Sequence, residues 1–231
     1  FTGTDRLMHF LWDAYENGGH KYRKDFLEHF EKIDEVVGEI NSRTNEKDLL
    51  IMLSDHGFER LDKDVYISYL LRKEGLLKHK ENRELELSGI DYSTKAFALD
   101  PARIYINLKS KYPCGSVDVQ DKERILKELE ALFNSLEIDN KKVIKEIYRK
   151  EKIYSGPFLE QAPDLILVGN QGFNLKANIK ADKLTDKSIF TGKHTQWDAF
   201  LIVNRKVDIN IILEEFSVFD FVSIMNKLKE L

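Results

Sequence analysis

The chain of 231 residues is long enough to bury a full hydrophobic core, and its 42% hydrophobic and 33% charged residues are typical of a globular protein. Its net charge of −4 argues against a nucleic-acid-binding surface, which needs a clustered basic excess, and no apolar run reaches the length of a membrane span. The single cysteine, Cys114, excludes an intramolecular disulfide and a Cys-rich zinc site, and it favours a cytoplasmic location.

The first 83 residues alternate between helical patterns and one apolar run. Helical spacing predicts a short helix in "TDRLMHFLWDAYENGG", a longer one in "KYRKDFLEHFEKIDEVVGEINSRT" and a third in "DKDVYISYLLRKEGLL", which ends at Gly75. The continuous apolar run "DLLIMLSD" predicts a strand covered on both faces. This order predicts an α/β fold with a mostly parallel sheet flanked by helices.

From about Glu84 the pattern changes to short β-branched and aromatic segments. "STKAFAL" and "ARIYINLK", divided by "DP", predict a hairpin, and "QDKERILKELEALFNSL" predicts a helix. Further strands are predicted in "KVIKEIYRK", "APDLILVGN" and "DAFLIVN", and a last helix in "ILEEFSVFDFVSIMNKLKEL", with Ser217 as its cap. We therefore expect core segments at 1–83 and 191–231, and a small inserted α+β cap at 84–190.

Acidic and histidine side chains recur at the predicted edges of these elements. In "LLIMLSDHGF" the apolar strand ends at Asp55 and His56, and Asp5 and His9 are four residues apart, which places them on one helix face. His194 lies in a predicted loop that enters the strand "DAFLIV". Imidazole nitrogens combined with carboxylate oxygens, without thiolate, suit Zn, Mn or Fe.

Each of these pieces also fits a purely structural role. The i,i+4 pair can be a hydrogen bond on a helix surface, the Asp-His pair can be a turn at a strand end, and the late histidine can be an ordinary loop residue. Gly57 and Gly192 lie beside the candidate ligands and would let the backbone approach them without a Cβ in the way.

The three segments in this order resemble the type I phosphodiesterase/nucleotide pyrophosphatase family of the alkaline phosphatase superfamily. "TDRLMHFLW" is similar to that family's Asp-x-x-x-His segment, "MLSDHGF" to its Ser-Asp-His-Gly segment, and "TGKHTQWDAFLIV" to its late Gly-x-His segment. "AFALDPARIYINLK" and "APDLILV" also resemble microbial members, so the resemblance covers nearly the whole chain.

The resemblance implies an alkaline-phosphatase-like core and a site with two divalent metal ions, zinc first, with Mn or Fe as alternatives. By motif position, Asp5, His9 and His194 would hold one ion, and Asp55 and His56 the other. The implied reaction is in-line attack on the phosphorus of a small phosphoester or nucleotide. No nucleic acid or membrane is expected as a partner, and the sequence carries no signal for the oligomeric state.

The family's nucleophile and one further Asp ligand belong to a segment that precedes the first motif. Thr2, Thr4 and Ser54 do not match that nucleophile, so we expect the chain to be the carboxy-terminal part of a metal-dependent phosphoester hydrolase, inactive by itself. A phosphomutase, a sulfatase-like enzyme, a phosphonate-cleaving enzyme and a non-catalytic binding module stay open as alternatives.

Overall fold

The computed structural model describes residues 1–81, 83–206 and 220–229. Within them the helices are α1 (Thr2–Glu16), α2 (Arg23–Ser42), α3 (Ile67–Lys73), α4 (Lys122–Asn134), α5 (Lys150–Ile153) and α6 (Phe221–Lys229). The strands are β1 (Ile51–Leu53), β2 (Gly57–Tyr66), β3 (Ala96–Leu99), β4 (Arg103–Ile106), β5 (Glu137–Ile138), β6 (Lys141–Lys142), β7 (Ile144–Arg149), β8 (Leu165–Gly169), β9 (Gly172–Lys176), β10 (Thr185–Asp186), β11 (Gly192–Thr195) and β12 (Leu201–Val203).

The described chain forms two compact units. The first comprises Phe1–Arg60 together with Phe190–Leu231, and the second comprises Leu61–Ile189. We call them the outer-segment unit and the central unit, after their places in the sequence. None of the helices described here is both long enough and apolar enough to cross a membrane.

The central unit is built on a four-stranded sheet with the strand order β3-β4-β8-β7, in which every neighbouring pair is antiparallel. Helix α4 packs on this sheet against β4 and β7 and buries Ile125, Leu129 and Phe133 on one face. These side chains recur at i, i+4 and i+8, the spacing of an amphipathic helix. They join Ile104 of β4 and Leu165 of β8 in one cluster of buried apolar side chains.

The outer-segment unit pairs helix α1 with helix α2 and with strand β11. Its strands form two short antiparallel ribbons: β1 pairs with β12, and the first residues of β2 pair with β11. Ala14 of α1 and Phe26 of α2 are buried between these elements. This arrangement brings the start of α1 next to the strand that carries His194.

Most helices and strands predicted from the sequence are present. The periodic segments became α1, α2 and α4, and the two short segments divided by "DP" became the β3–β4 hairpin, which confirms those predictions. The strands predicted in "KVIKEIYRK" and "APDLILVGN" are β7 and β8, which pair with each other. Ser217, the predicted cap of the last helix, lies outside the described residues.

The prediction of a mostly parallel sheet is not confirmed, because the sheets are largely antiparallel. Among the strand pairs in the described ranges, only β2 and β9 run parallel. The prediction rested on the apolar run before Asp55, but that run forms a strand of three residues, and Leu53 within it is 46% exposed. A short apolar run does not specify the direction of its partner, which here is a strand about 150 residues away.

Two local predictions around the candidate ligands were also wrong. Residues 62–66, predicted as the start of a helix, extend strand β2, and the helix begins only at Ile67. The buried carboxylate of Asp64 accepts hydrogen bonds from Asn174 and Lys176 of the neighbouring β9, a partnership with no local sequence signal. His194, predicted to lie in a loop, is a residue of strand β11.

Candidate metal centre

Helix α1 presents Asp5 and His9 on one face. The two residues are one helical turn apart, and the His9 Nε2 to Asp5 Oδ1 distance is 3.6 Å. The other ring nitrogen of His9, Nδ1, donates a hydrogen bond to the backbone carbonyl of Gly192 at 2.9 Å. This bond places the proton of a neutral imidazole on Nδ1, so that the lone pair of Nε2 faces Asp5.

Strand β11 supplies His194, which lies directly opposite Phe58 in the antiparallel register with β2. The close packing of α1 on this strand depends on Gly192. A Cβ at that position would lie 2.5 Å from the carbonyl oxygen of Met8 and 2.5 Å from Cε1 of Phe58. Glycine therefore permits the approach of helix and strand that joins His9 to His194, as the sequence predicted for this position.

The side chains of Asp5, His9 and His194 meet at a single focus. His194 Nε2 lies 2.8 Å from Asp5 Oδ1 and 3.0 Å from His9 Nε2. A single proton on His194 Nε2 cannot form full hydrogen bonds with both Asp5 Oδ1 and His9 Nε2. A cation between the three ligand atoms would instead be attracted to all of them. The three side chains are between 27% and 48% exposed, so the focus is open to solvent.

His56 lies beside this focus, and Asp55 lies at its edge. The His56 ring stacks on the His194 ring with centroids 3.7 Å apart, and its Nε2 lies 3.9 Å from Asp5 Oδ1. Its Nδ1 donates to the carbonyl of Gly57 at 3.0 Å, so here too Nε2 is the nitrogen left to bind a ligand. Asp55 Oδ1 is 3.5 Å from His56 Nε2, but the Asp55 side chain is 87% exposed.

Aromatic rings enclose one side of the cluster. Phe58 makes edge contacts with the rings of His9 and His194, at centroid distances of 4.9 and 5.4 Å. Phe190 packs on His9 at 5.5 Å and on Phe10 at 4.9 Å. Apolar walls of this kind restrict the imidazole rotamers and reduce the access of water from that side.

A comparison with known protein families matches the model described as type I phosphodiesterase / nucleotide pyrophosphatase to residues 1–197. The chain belongs to this family. No curated protein and no solved structure matched the chain. The family membership implies an alkaline-phosphatase-like fold and a hydrolase that acts on phosphoester bonds.

In this member of the phosphodiesterase family, four of the five predicted ligands lie close together. Asp5, His9 and His194 form the three-residue cluster, His56 stacks on it, and Asp55 contacts only its edge through His56. The matched range ends at residue 197, so it contains all five positions.

Sequence reasoning missed the groups that orient the histidines. Two of them are the backbone carbonyls of Gly57 and Gly192, which hold the Nδ1 atoms of His56 and His9. A backbone carbonyl has no residue type of its own, so no pattern of side chains predicts its role. For Phe58 the one sequence signal is that it directly follows the Asp-His-Gly segment; its position opposite His194 is set by the β2–β11 pairing, which the sequence did not predict.

Proposed function

We propose that the protein is a metal-dependent phosphoester hydrolase in which Asp5, His9 and His194 hold one divalent ion and His56 and Asp55 contribute to a second. The observation that carries the proposal is the convergence of one carboxylate oxygen and two imidazole nitrogens from α1 and β11. Membership of the phosphodiesterase/pyrophosphatase family supports the same reading.

The donor set and its spacing fit a metal ion. The Asp5, His9 and His194 ligand atoms are separated by 2.8, 3.0 and 3.6 Å. Ligands about 2.0–2.1 Å from a tetrahedral zinc ion lie roughly 3.3 Å from one another, which is within that range. Two imidazoles and one carboxylate also leave a coordination position for water or substrate, as catalytic zinc sites do.

Hydrogen bonds to the outer ring nitrogens strengthen this fit. Histidine ligands commonly donate their second N–H to a carbonyl or carboxylate, which fixes the tautomer and the ring orientation. His9 and His56 each do so through Nδ1 to a backbone carbonyl. Because the backbone acceptors are fixed by the β2–β11 pairing, both Nε2 atoms are oriented before any ion binds.

The bound ions would supply Lewis acidity, which polarises a phosphoryl oxygen and stabilises the charge that develops in an in-line displacement. The residues of this chain hold and orient the ligands. Asp5 supplies the negative charge, the two carbonyls hold the imidazoles, and Phe58 closes one side. Zinc is the first choice of metal, with Mn or Fe as alternatives, and a small phosphoester or nucleotide is the proposed substrate class. No ligand residue is assigned as the nucleophile, so metal binding is the first test.

The test is a calorimetric titration of the chelator-treated protein with Zn²⁺ and, separately, with Mn²⁺. The variant His194→Ala is expected to lower the affinity at least about 100-fold, because loss of an outer-shell partner alone lowers it about 10- to 100-fold. His79→Ala is the matched control, since His79 lies in the central unit and contacts the carbonyl of Glu86 through Nε2.

Equal zinc affinity in the parent protein and in His194→Ala would contradict the proposed metal centre. A loss of affinity in His79→Ala as large as that in His194→Ala would also count against it, since general damage would then explain both. Replacing zinc with Co²⁺ gives a spectroscopic control, because tetrahedral ligand fields produce strong visible absorption that His194→Ala should remove.

A further inference from the structure

Two lysines of the central unit meet the segment from Glu160 to Asp164. The Lys150 ammonium, at the start of α5, donates to Glu160 at 3.0 Å, and the Lys122 ammonium, at the start of α4, contacts Asp164 at 3.0 Å. The second carboxylate oxygen of Asp164 accepts the backbone N–H of Ile106 at 2.9 Å, so this buried carboxylate is held from two sides.

The pair between Lys150 and Glu160 is strongly asymmetric in its exposure. The Lys150 side chain is 2% exposed, whereas the Glu160 side chain is 86% exposed. A buried ammonium ion is unfavourable unless an anion compensates it, so Lys150 needs a negative partner. Glu160 is that negative partner, and it lies in a short 3-10 turn at the surface. Because it is exposed, another anion could displace it from Lys150.

A third lysine approaches the same segment. The Lys111 ammonium donates to the carbonyl of Ala162 at 3.3 Å and lies 5.4 Å from the ring centroids of both Tyr105 and Tyr112. Burial lowers the pKa of Lys111; the negative charge of Asp164 opposes this effect, and the charges of Lys150 and Lys122 reinforce it. Burial also raises the pKa of Tyr112 to about 12, so its phenol adds no negative charge beside the three lysines even at moderately alkaline pH.

The three ammonium groups act together on one carboxylate. The pKa of Glu160 is lowered first by the hydrogen bond from Lys150 and by its charge, and then by the charges of Lys122 and Lys111. The Glu160 carboxylate therefore lies in the positive electrostatic potential of Lys150, Lys122 and Lys111.

We propose that Lys111, Lys122 and Lys150 form a binding site for a phosphate group in the central unit, in which Glu160 occupies the anion position until phosphate displaces it. When Glu160 leaves, the three ammonium groups carry three positive charges, and the Asp164 carboxylate, which stays in place, carries one negative charge. The site then has a net charge of two positive units. Two charges match a phosphate dianion better than a monoanion. This site is separate from the proposed metal centre and does not depend on the proposed function.

The experiment is a titration of the whole chain with inorganic phosphate alone, in a chelator and at low, constant chloride, so that no metal ion can bind the phosphate. Lys111→Gln is expected to weaken binding about tenfold or more, the scale of one lost charge-assisted hydrogen bond. Glu160→Gln is expected to tighten binding severalfold, because the competing carboxylate is gone. Both positions are outside the fully buried core, and circular dichroism checks that the variants fold.

Two controls separate this site from its alternatives. Lys109→Gln removes the same charge two residues from Lys111, but Lys109 is 54% exposed and pairs with Asp118, so phosphate affinity should stay within about twofold. His194→Ala should also leave the affinity unchanged. Equal weakening by Lys109→Gln and Lys111→Gln, no tightening in Glu160→Gln, or loss of binding in His194→Ala would each overturn the proposal.

Discussion

A single methyl group added at Gly192 should weaken both the fold and metal binding at the candidate metal centre. The Cβ of Gly192→Ala would lie 2.5 Å from the Met8 carbonyl oxygen and 3.0 Å from Cβ of Trp12, where contacts below 3.0 Å essentially do not occur. Since the Met8 atom belongs to the backbone, helix α1 must move from β11 by at least about 0.5 Å. Overpacking of this kind lowers the free energy of unfolding by about 1–3 kcal/mol.

The same displacement separates the ligands, because His9 is on the helix and His194 is on the strand. Metal–ligand distances tolerate about 0.2 Å, so a displacement of about 0.5 Å should lower zinc affinity measurably. Thermal unfolding without metal and zinc calorimetry measure the two effects. Gly38→Ala is the control: it meets no atom within 4 Å, lies inside α2 and should be neutral or stabilising. Zinc affinity in Gly192→Ala equal to that of the parent protein would refute this reasoning.

Two further predictions concern the central unit. The pKa of Tyr112 is raised from 10.0 to about 12, so its neutral form stabilises the folded protein below pH 10, and this contribution is lost as the pH rises towards 12. Between pH 10 and pH 12, Tyr112→Phe should therefore lose less of its free energy of unfolding than the parent protein. Urea unfolding at a series of pH values measures this difference. Phe133→Ala should lower the free energy of unfolding by about 3–5 kcal/mol, since this side chain is fully buried, whereas Phe158→Ala, at a position 70% exposed, should change it by less than about 0.5 kcal/mol. Equal effects of the two Phe substitutions would contradict the position of the core.

Long periodic segments were predictable because their pattern repeats over several turns. Helix α4 shows the reason: its pattern extends over 13 residues, and Ile125, Leu129 and Phe133, which recur every four residues, are all buried. Residues 62–66 show the opposite case. Five residues are too few to distinguish the 3.6-residue period of a helix from the two-residue period of a strand. The hydrogen-bond partners that hold Asp64 in the strand are more than 100 residues away in the sequence, so local sequence does not reveal them.

Strand direction was the part that local sequence could not supply. The apolar run before Asp55 predicts a strand that is buried on both faces, which favours a parallel sheet. In the structure it pairs antiparallel with β12 and is only partly covered. Direction is decided by which distant segment becomes the partner, and no property of the run itself carries that information.

The arrangement of the candidate ligands is independent of that error, because a helix and a strand position them by direct contact. The backbone N–H of Thr191 donates to the His9 carbonyl at 2.7 Å, and the Thr191 hydroxyl accepts the backbone N–H of Asp13 at 3.3 Å. Together with the bond from His9 Nδ1 to Gly192, three hydrogen bonds fasten one turn of α1 to the start of β11. Asp5 lies one turn before His9 and His194 lies two residues after Gly192, so these bonds set the distances between the ligand atoms whatever the direction of the remaining strands. A motif that encodes a helix, a glycine and a histidine can therefore bring the candidate metal ligands together even where the topology of the surrounding sheet cannot be inferred.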